Sequence, residues 1–305
     1  MSPDSDNSIG VIGVGMLGSG IIERLLANHV KVNIYGRNKI KLNSLKKRGA
    51  KIFDNPSSLT DHTEFIITCV TNYDALRDVL FGKNGVVNSS NKQVIILDCT
   101  TVTPKQSANC SDLINKRDGI TFLSVPVMGG PTDARNGELI SLVSGNKDSY
   151  DKAYPVLEYF SKHIFYLGKI NGLSNSIKLA LNLNIAIITL ALSEGLLLAN
   201  HSGIDPNLYL KILNLTRLKT GISERKGQMM INNDYPPSFF LKNMLKDIDL
   251  VMEMSHNLGL VLPMTSMSQQ LFRAANKQDD RKELDYSVIY AFLKELNSDC
   301  KKGST

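Results

Sequence analysis

Two groups of residues in this chain have the types and spacings that chemistry uses. The first is Gly13-Val14-Gly15-Met16-Leu17-Gly18, which follows the apolar residues Ile9, Val11 and Ile12 and opens an amphipathic segment. In the order strand, glycine turn, helix, such a run is the fingerprint of a dinucleotide-binding site. Gly13 permits the tight turn, Gly15 leaves backbone bare for a pyrophosphate, and Gly18 lets helix and strand pack closely. The helix start adds unpaired N–H groups and the positive end of its dipole. The second group is Lys178 and Asn182, at i and i+4 and therefore on one helical face. That face is otherwise apolar, and a lysine there is costly unless paired or used. Desolvation lowers an ammonium's pKa, as a general acid/base requires, and Asn182 can orient a reacting oxygen. Taken alone, this stretch favours a lysine whose stem is buried and whose ammonium reaches water.

These residues need elements to hold them. Over residues 8 to about 166, β-rich runs at 9–12, 32–35, 65–70, 94–97, 121–125, 140–143 and 164–167 alternate with helical segments such as 21–28, 39–48, 74–79 and 105–116. The alternation predicts an α/β domain with a mostly parallel, Rossmann-type sheet covered on both faces. After Gly168 the pattern is helical: 173–201, 208–215, 241–258, 266–277 and 287–297, broken at Gly203, Pro236-Pro237 and Gly259. The expected division is a Rossmann-type domain over residues 8–170 and an all-α domain over 171–297, the latter led by a long interdomain helix and serving substrate binding and oligomerisation. The last residues, from 298, read as a frayed tail.

Composition narrows the classes of function. The chain has 305 residues, 42% hydrophobic and 21% charged, enough for two cored domains. Cys69, Cys99, Cys110 and Cys300 are irregularly spaced, so neither a disulfide framework nor a metal site is expected, and a cytoplasmic location fits. The N-terminus shows no signal-peptide pattern. Residues 179–199 are apolar but interrupted by Asn182, Asn184, Thr189, Ser193 and Glu194, which suits a buried helix better than a membrane span. Net charge is +6, and Lys46-Lys47-Arg48 is the one basic run noted. Without a coherent basic stripe, no nucleic-acid partner is expected.

Cofactor choice is read at the end of the second strand, where an acidic residue would bind the adenosine ribose. That position is Gly36, no acid occurs between Glu23 and Asp54, and Arg37, Asn38, Lys39 and Lys41 follow. A carboxylate would repel a 2′-phosphate, whereas a guanidinium binds it in bidentate fashion. NADP(H) is expected in preference to NAD(H).

Several separated motifs resemble the β-hydroxyacid dehydrogenase family, which includes 3-hydroxyisobutyrate dehydrogenases and glyoxylate/succinic semialdehyde reductases. They are the glycine loop, with Leu17 where a methionine is typical; Pro126-Val127-Met128-Gly129-Gly130 with Ala134 and Gly137; Gly172 through Lys178 and Asn182; and Phe239 with Lys246-Asp247. Asp98-Cys99-Thr100-Thr101-Val102 resembles a turn that places Thr101 near the nicotinamide, and Val70-Thr71-Asn72 a cofactor-contacting strand end. The resemblance implies an NADP-dependent oxidoreductase. Lys178 would act as general acid/base, beside Asn182, on a small β-hydroxy acid or semialdehyde. It further implies that Lys246 contacts cofactor, that Met128, Phe239 and Asp247 line the substrate, and that the N–H groups of Gly129 and Gly130 hold a carboxylate.

Beyond Leu17, three further positions depart from the family pattern. Met128 stands where a serine would bond the substrate carboxylate, Ser124 replaces an acid, and Ser174 replaces a glycine. Met128 favours a less polar or bulkier substrate, so reduction of an imine or bulky ketone is an alternative. A catalytically silent NADP-binding scaffold is another. The apolar helix after Gly172 predicts a homodimer or homotetramer.

Overall fold

The computed structural model describes residues 8–91, 93–117 and 119–298. The expected tail and Cys300 lie, from residue 299 onward, outside them. The chain divides into two compact units at Lys178/Leu179, eight residues later than the change of sequence texture at 170/171.

In the first unit, β1 (Ser8–Ile12), β2 (Lys31–Tyr35), β3 (Lys51–Ile52), β4 (Phe65–Thr68), β5 (Val94–Asp98), β6 (Ile120–Ser124), β7 (Val127–Met128), β8 (Leu139–Gly145) and β9 (Ser161–Tyr166) form one sheet among the described residues. Its order is β3-β2-β1-β4-β5-β6-β8-β7, with β9 also paired to β8. β3 through β6 in this order run parallel, β8 is antiparallel to β6 and β7, and β9 is parallel to β8. Successive strand residues point to opposite faces, and two separate cores result. Ile9, Val11, Ile67, Ile95 and Leu97 feed one, and Ile12, Ile66, Val94 and Ile96 the other.

Helices cover both faces. α1 (Met16–Ala27), α2 (Lys39–Lys47) and α7 (Lys147–Glu158) send Ile21, Ile22, Leu25, Leu42, Leu45, Val156 and Leu157 into the first core. α3 (Pro56–Thr60), α4 (Tyr73–Phe81) and α5 (Pro104–Ile114) send Leu59, Leu76, Leu80, Cys110 and Ile114 into the second. α6 (Pro131–Asn136) packs tightly on α1, where a Cβ on Gly20 would lie 2.7 Å from the Pro131 carbonyl oxygen. β3, β7, α3, α6 and α7 go beyond the sequence reading. The two strands have two residues each, too few for a pattern, and α7 contains Pro155.

α8 (Leu173–His201) starts in the first unit and continues into the second. There α9 (Pro206–Leu215), α10 (Gly221–Asn232), α11 (Leu241–Leu258), α12 (Pro263–Ala275) and α13 (Ile289–Leu296) complete an all-helical body. Ala186, Leu190, Leu196, Met230, Leu241, Met244, Ile248, Phe272 and Ile289 form its core. Two buried hydroxyls in the middle of α8 are satisfied within the helix: Thr189 donates to the Ile185 carbonyl at 2.7 Å and Ser193 to the Thr189 carbonyl at 2.8 Å. α10 was hidden in the sequence by Gly221 and Gly227. Gly227 lets it lie against α9, since a Cβ there would come within 2.5 Å of Leu210.

Two glycines of the first turn behave oppositely. A Cβ on Gly18 would lie 2.0 Å from the Gly13 carbonyl oxygen, whereas one on Gly15 would meet nothing within 4 Å. Gly18→Ala is expected to cost about 1–3 kcal/mol through overpacking and to lower Tm by several degrees. Gly15→Ala should leave Tm unchanged. Melting curves of the two variants check this, and equal melting temperatures would contradict the packing argument.

Candidate active site

β1 is flanked by β2 on one side and β4 on the other, so the chain leaves it at the point where strand order reverses, the place where open α/β sheets bind ligands. Gly13 sits there with φ 111° and donates its N–H to the Tyr35 carbonyl at 2.8 Å. A side chain on Gly13 would strike the Cys69 carbonyl oxygen at 2.2 Å. Gly15 is the N-cap of α1 and supplies no side-chain cap, and the first turn contains no acid. Bare N–H groups beside open space at Gly15 suit an anionic pyrophosphate. The first turn of α1 therefore fits a dinucleotide.

Around this turn the structure reports on the other expected cofactor residues. Gly36 is required by packing: a Cβ there would lie 2.6 Å from the Val14 side chain. The missing acid thus follows from Val14 as much as from any phosphate. Arg37 is exposed, and Asn38 caps α2 by accepting the Lys41 N–H at 3.0 Å. Asn72 is likewise a cap, accepting the Ala75 N–H at 2.9 Å, with exposed Thr71 beside it. Thr101 is half-buried at the end of β5. Just before it, Asp98 is fully buried. Its Oδ1 accepts from Thr68 Oγ1 at 2.7 Å and from the Thr100 N–H at 3.1 Å, while Oδ2 has no partner. Burial outweighs these bonds and pushes its carboxyl up to about 6.

Lys178 is placed by a network of small hydroxyls and amides that the sequence reading missed. Ser124 Oγ bonds Ser107 Oγ at 2.6 Å, donates to Asn171 Oδ1 at 2.9 Å and accepts the Gly172 N–H at 3.2 Å. Ser174 donates to the Ser124 carbonyl at 3.1 Å and bonds Ser144 Oγ at 2.9 Å. Asn175 donates to the Val102 carbonyl at 3.3 Å. Ser174 is buried, so the departure from glycine supplies an anchor at the start of α8. The clustering of Ser107, Ser111, Ser124, Ser144 and Ser174 is invisible along the chain. One turn beyond the anchor, half-buried Lys178 directs Nζ to Met128 Sδ at 3.5 Å.

The expected carboxylate cradle needs correction at Gly130. Gly129 takes φ 117°, but the Gly130 N–H donates to Asp133 Oδ2 at 2.7 Å, capping the six-residue α6. That amide is already engaged by an internal carboxylate.

In the second unit, buried Asn182 donates to Asp247 Oδ2 at 2.5 Å. Asp247 is 1% exposed and its other oxygen lies 2.9 Å from the Lys246 ammonium. Asp247 therefore orients Asn182 and is itself flanked by Lys246, contacts beyond the substrate and cofactor roles that the resemblance implies for them. Half-buried Phe239 is fixed by Asp285, which accepts its N–H at 3.3 Å, pairs with Lys226 at 2.8 Å and itself carries a lowered pKa because that ammonium faces it.

The chain is similar to known proteins in sequence and in fold. Residues 8–168 match the family model described as the NAD binding domain of 6-phosphogluconate dehydrogenase. Residues 172–293 match that described as NAD-binding of NADP-dependent 3-hydroxyisobutyrate dehydrogenase. Glyoxylate/succinic semialdehyde reductase 2, chloroplastic, of Arabidopsis thaliana is 30% identical over 95% of this chain and 80% of its own length. Glyoxylate/succinic semialdehyde reductase 1 of the same plant is 28% identical over 94% and 98%. In fold, 3-hydroxyisobutyrate dehydrogenase from Salmonella typhimurium superposes with a TM-score of 0.86 at 20% identity, covering 94% of this chain and 100% of that one. An imine reductase variant from Myxococcus stipitatus does so with a TM-score of 0.64 at 18% identity, covering 94% and 99%.

Asp98 generates a pH prediction. Its folded pKa lies above the ordinary 3.8, so the folded chain keeps a proton that the unfolded chain releases between pH 3.8 and about 6. The stability this contributes is complete below that window and lost as pH rises through it, by roughly 3 kcal/mol. Asp98→Asn should abolish this contribution, so its stability relative to the parent should rise by that order between pH 4 and 6.5 in urea denaturation. Parallel pH profiles would contradict the assignment.

Proposed function

As the chain belongs to the β-hydroxyacid dehydrogenase family and is an NAD(P)-dependent oxidoreductase of it, we propose that it uses NADP(H), with Lys178 as the general acid/base, to interconvert a small carbonyl compound and its hydroxy form. The observation that carries this reading is Lys178 itself, an ammonium anchored one turn beyond the buried serine network and half-buried against Met128.

The bound dinucleotide supplies or takes up the hydride at its nicotinamide. The chain's residues do the rest. The first turn of α1 offers N–H groups to the pyrophosphate, and Arg37 offers a guanidinium to a 2′-phosphate. During reduction the carbonyl oxygen gains negative charge. Lys178 stabilises that charge and delivers a proton to the oxygen. Asn182, with its amide N–H donated to Asp247, keeps its carbonyl oxygen as an acceptor of fixed direction.

Two substrate classes follow from different observations. The names of the two plant relatives point to semialdehydes and related hydroxy acids. Met128 supports the second reading, an uncharged ketone or imine. A homodimer or homotetramer is supported by exposed apolar residues of the helical unit, among them Leu198, Leu215, Val261 and Met267.

Lys178→Ala is expected to lower kcat by about 10²–10⁴-fold while NADPH affinity, read by fluorescence titration, stays as in the parent. Full activity in that variant would remove the mechanism. Arg37→Ala should weaken NADPH binding roughly tenfold or more and leave NADH binding unaltered. A parent protein that prefers NADH would overturn the cofactor choice.

A further inference from the structure

We infer that the substrate carries no carboxylate where it meets Met128 and Gly130, and that this wall receives an uncharged, apolar substituent. The inference rests on the reading of Lys178 as the proton donor, because Met128 is located at the reacting centre through Lys178.

Three observations converge. First, the group against the Lys178 ammonium is a thioether, with Sδ 3.5 Å from Nζ. A thioether sulfur is a weak acceptor and has no hydrogen to donate, so it gives a carboxylate oxygen nothing to bond. Second, the backbone of Met128 is held in place. It pairs with Ile140 in the antiparallel β7–β8 ladder, next to the Val127–Ser141 pair, so the main chain is not available to turn a donor toward the ligand. Third, one of the two amide donors that follow Met128 is already engaged, since the Gly130 N–H bonds Asp133 Oδ2 at 2.7 Å. Asp133 is locked there by the turn. A Cβ on Gly129 would lie 3.1 Å from its Cβ and 3.2 Å from Oδ2, so side chain and turn are in close contact. A substrate carboxylate approaching Gly130 would have to displace a tethered carboxylate and would meet its like charge.

The consequence for catalysis is specific. With Met128 offering no donor and Gly130 bonded to Asp133, a carboxylate near this wall would be drawn to the Lys178 ammonium. It would then compete with the carbonyl oxygen that Lys178 must protonate, and binding of that kind is unproductive. An alkyl group packs against the methionine and leaves the ammonium to the carbonyl.

The test compares two four-carbon aldehydes that differ in a terminal carboxylate, butanal and succinic semialdehyde. Their kcat/KM values with saturating NADPH are measured for the parent protein and for Met128→Ser. We expect the parent to favour butanal by about tenfold or more, and Met128→Ser to move the ratio toward succinic semialdehyde by about tenfold, as a hydroxyl donor replaces the thioether. A parent that favours succinic semialdehyde tenfold while Lys178→Ala is inactive overturns the inference and leaves the role of Lys178 standing. An unmoved ratio in Met128→Ser also overturns it. If neither aldehyde is reduced although NADPH binds, the proposed reaction fails and the inference falls with it.

Discussion

The start of α8 is held to the sheet by buried hydroxyl groups, and the position of Lys178 depends on that attachment. Buried Ser107, Ser124, Ser144 and Ser174 and half-buried Asn171 exchange hydrogen bonds of 2.6 to 3.1 Å. Each bond contributes little net free energy, but losing one partner leaves a buried polar atom unsatisfied at a cost of about 1–3 kcal/mol. Such a cluster fixes one helix position strongly because the alternatives strand its members. Gly172 completes the junction, since any Cβ there would lie 2.5 Å from the Pro104 carbonyl oxygen.

The glycine turn imposes a second constraint of a steric kind. Gly13 and Gly18 let β1, α1 and the end of β4 approach within distances that no side chain tolerates, and Gly36 does the same for β2 against Val14. Close approach brings the carboxyl ends of β1, β4 and β5 together. The price is polar burial at Asp98, whose Oδ2 goes unpartnered beneath the crevice.

Chemistry and structure meet at Met128. One backbone donor of the turn, the Gly130 N–H, is taken by its own aspartate, and the ammonium near Met128 contacts sulfur. The proposed general acid/base thus lies beside a thioether rather than the serine expected from the family pattern. In the proposed reading, this combination separates the reaction type, assigned to Lys178, from the substrate class, assigned to Met128 and Asp133.

The sequence by itself determined the fold class, because strand and helix periodicities, and the glycine turn between the first strand and helix, are local properties. Spacing alone puts Lys178 and Asn182 on one helical face, but that stretch by itself favours a solvated ammonium, and only the separated motifs together point to an oxidoreductase. Only the tertiary structure decided what those groups touch. Asn38 and Asn72 became helix caps, Asp247 turned toward Asn182, and the Gly130 amide was claimed by Asp133. The serine anchor joins residues up to 67 positions apart, from Ser107 to Ser174, and hydrogen bonding across such separations leaves no periodic trace in the chain. Short elements such as β7 and α6 were equally unreadable, being too brief to carry a pattern and stable only through the neighbours against which they pack.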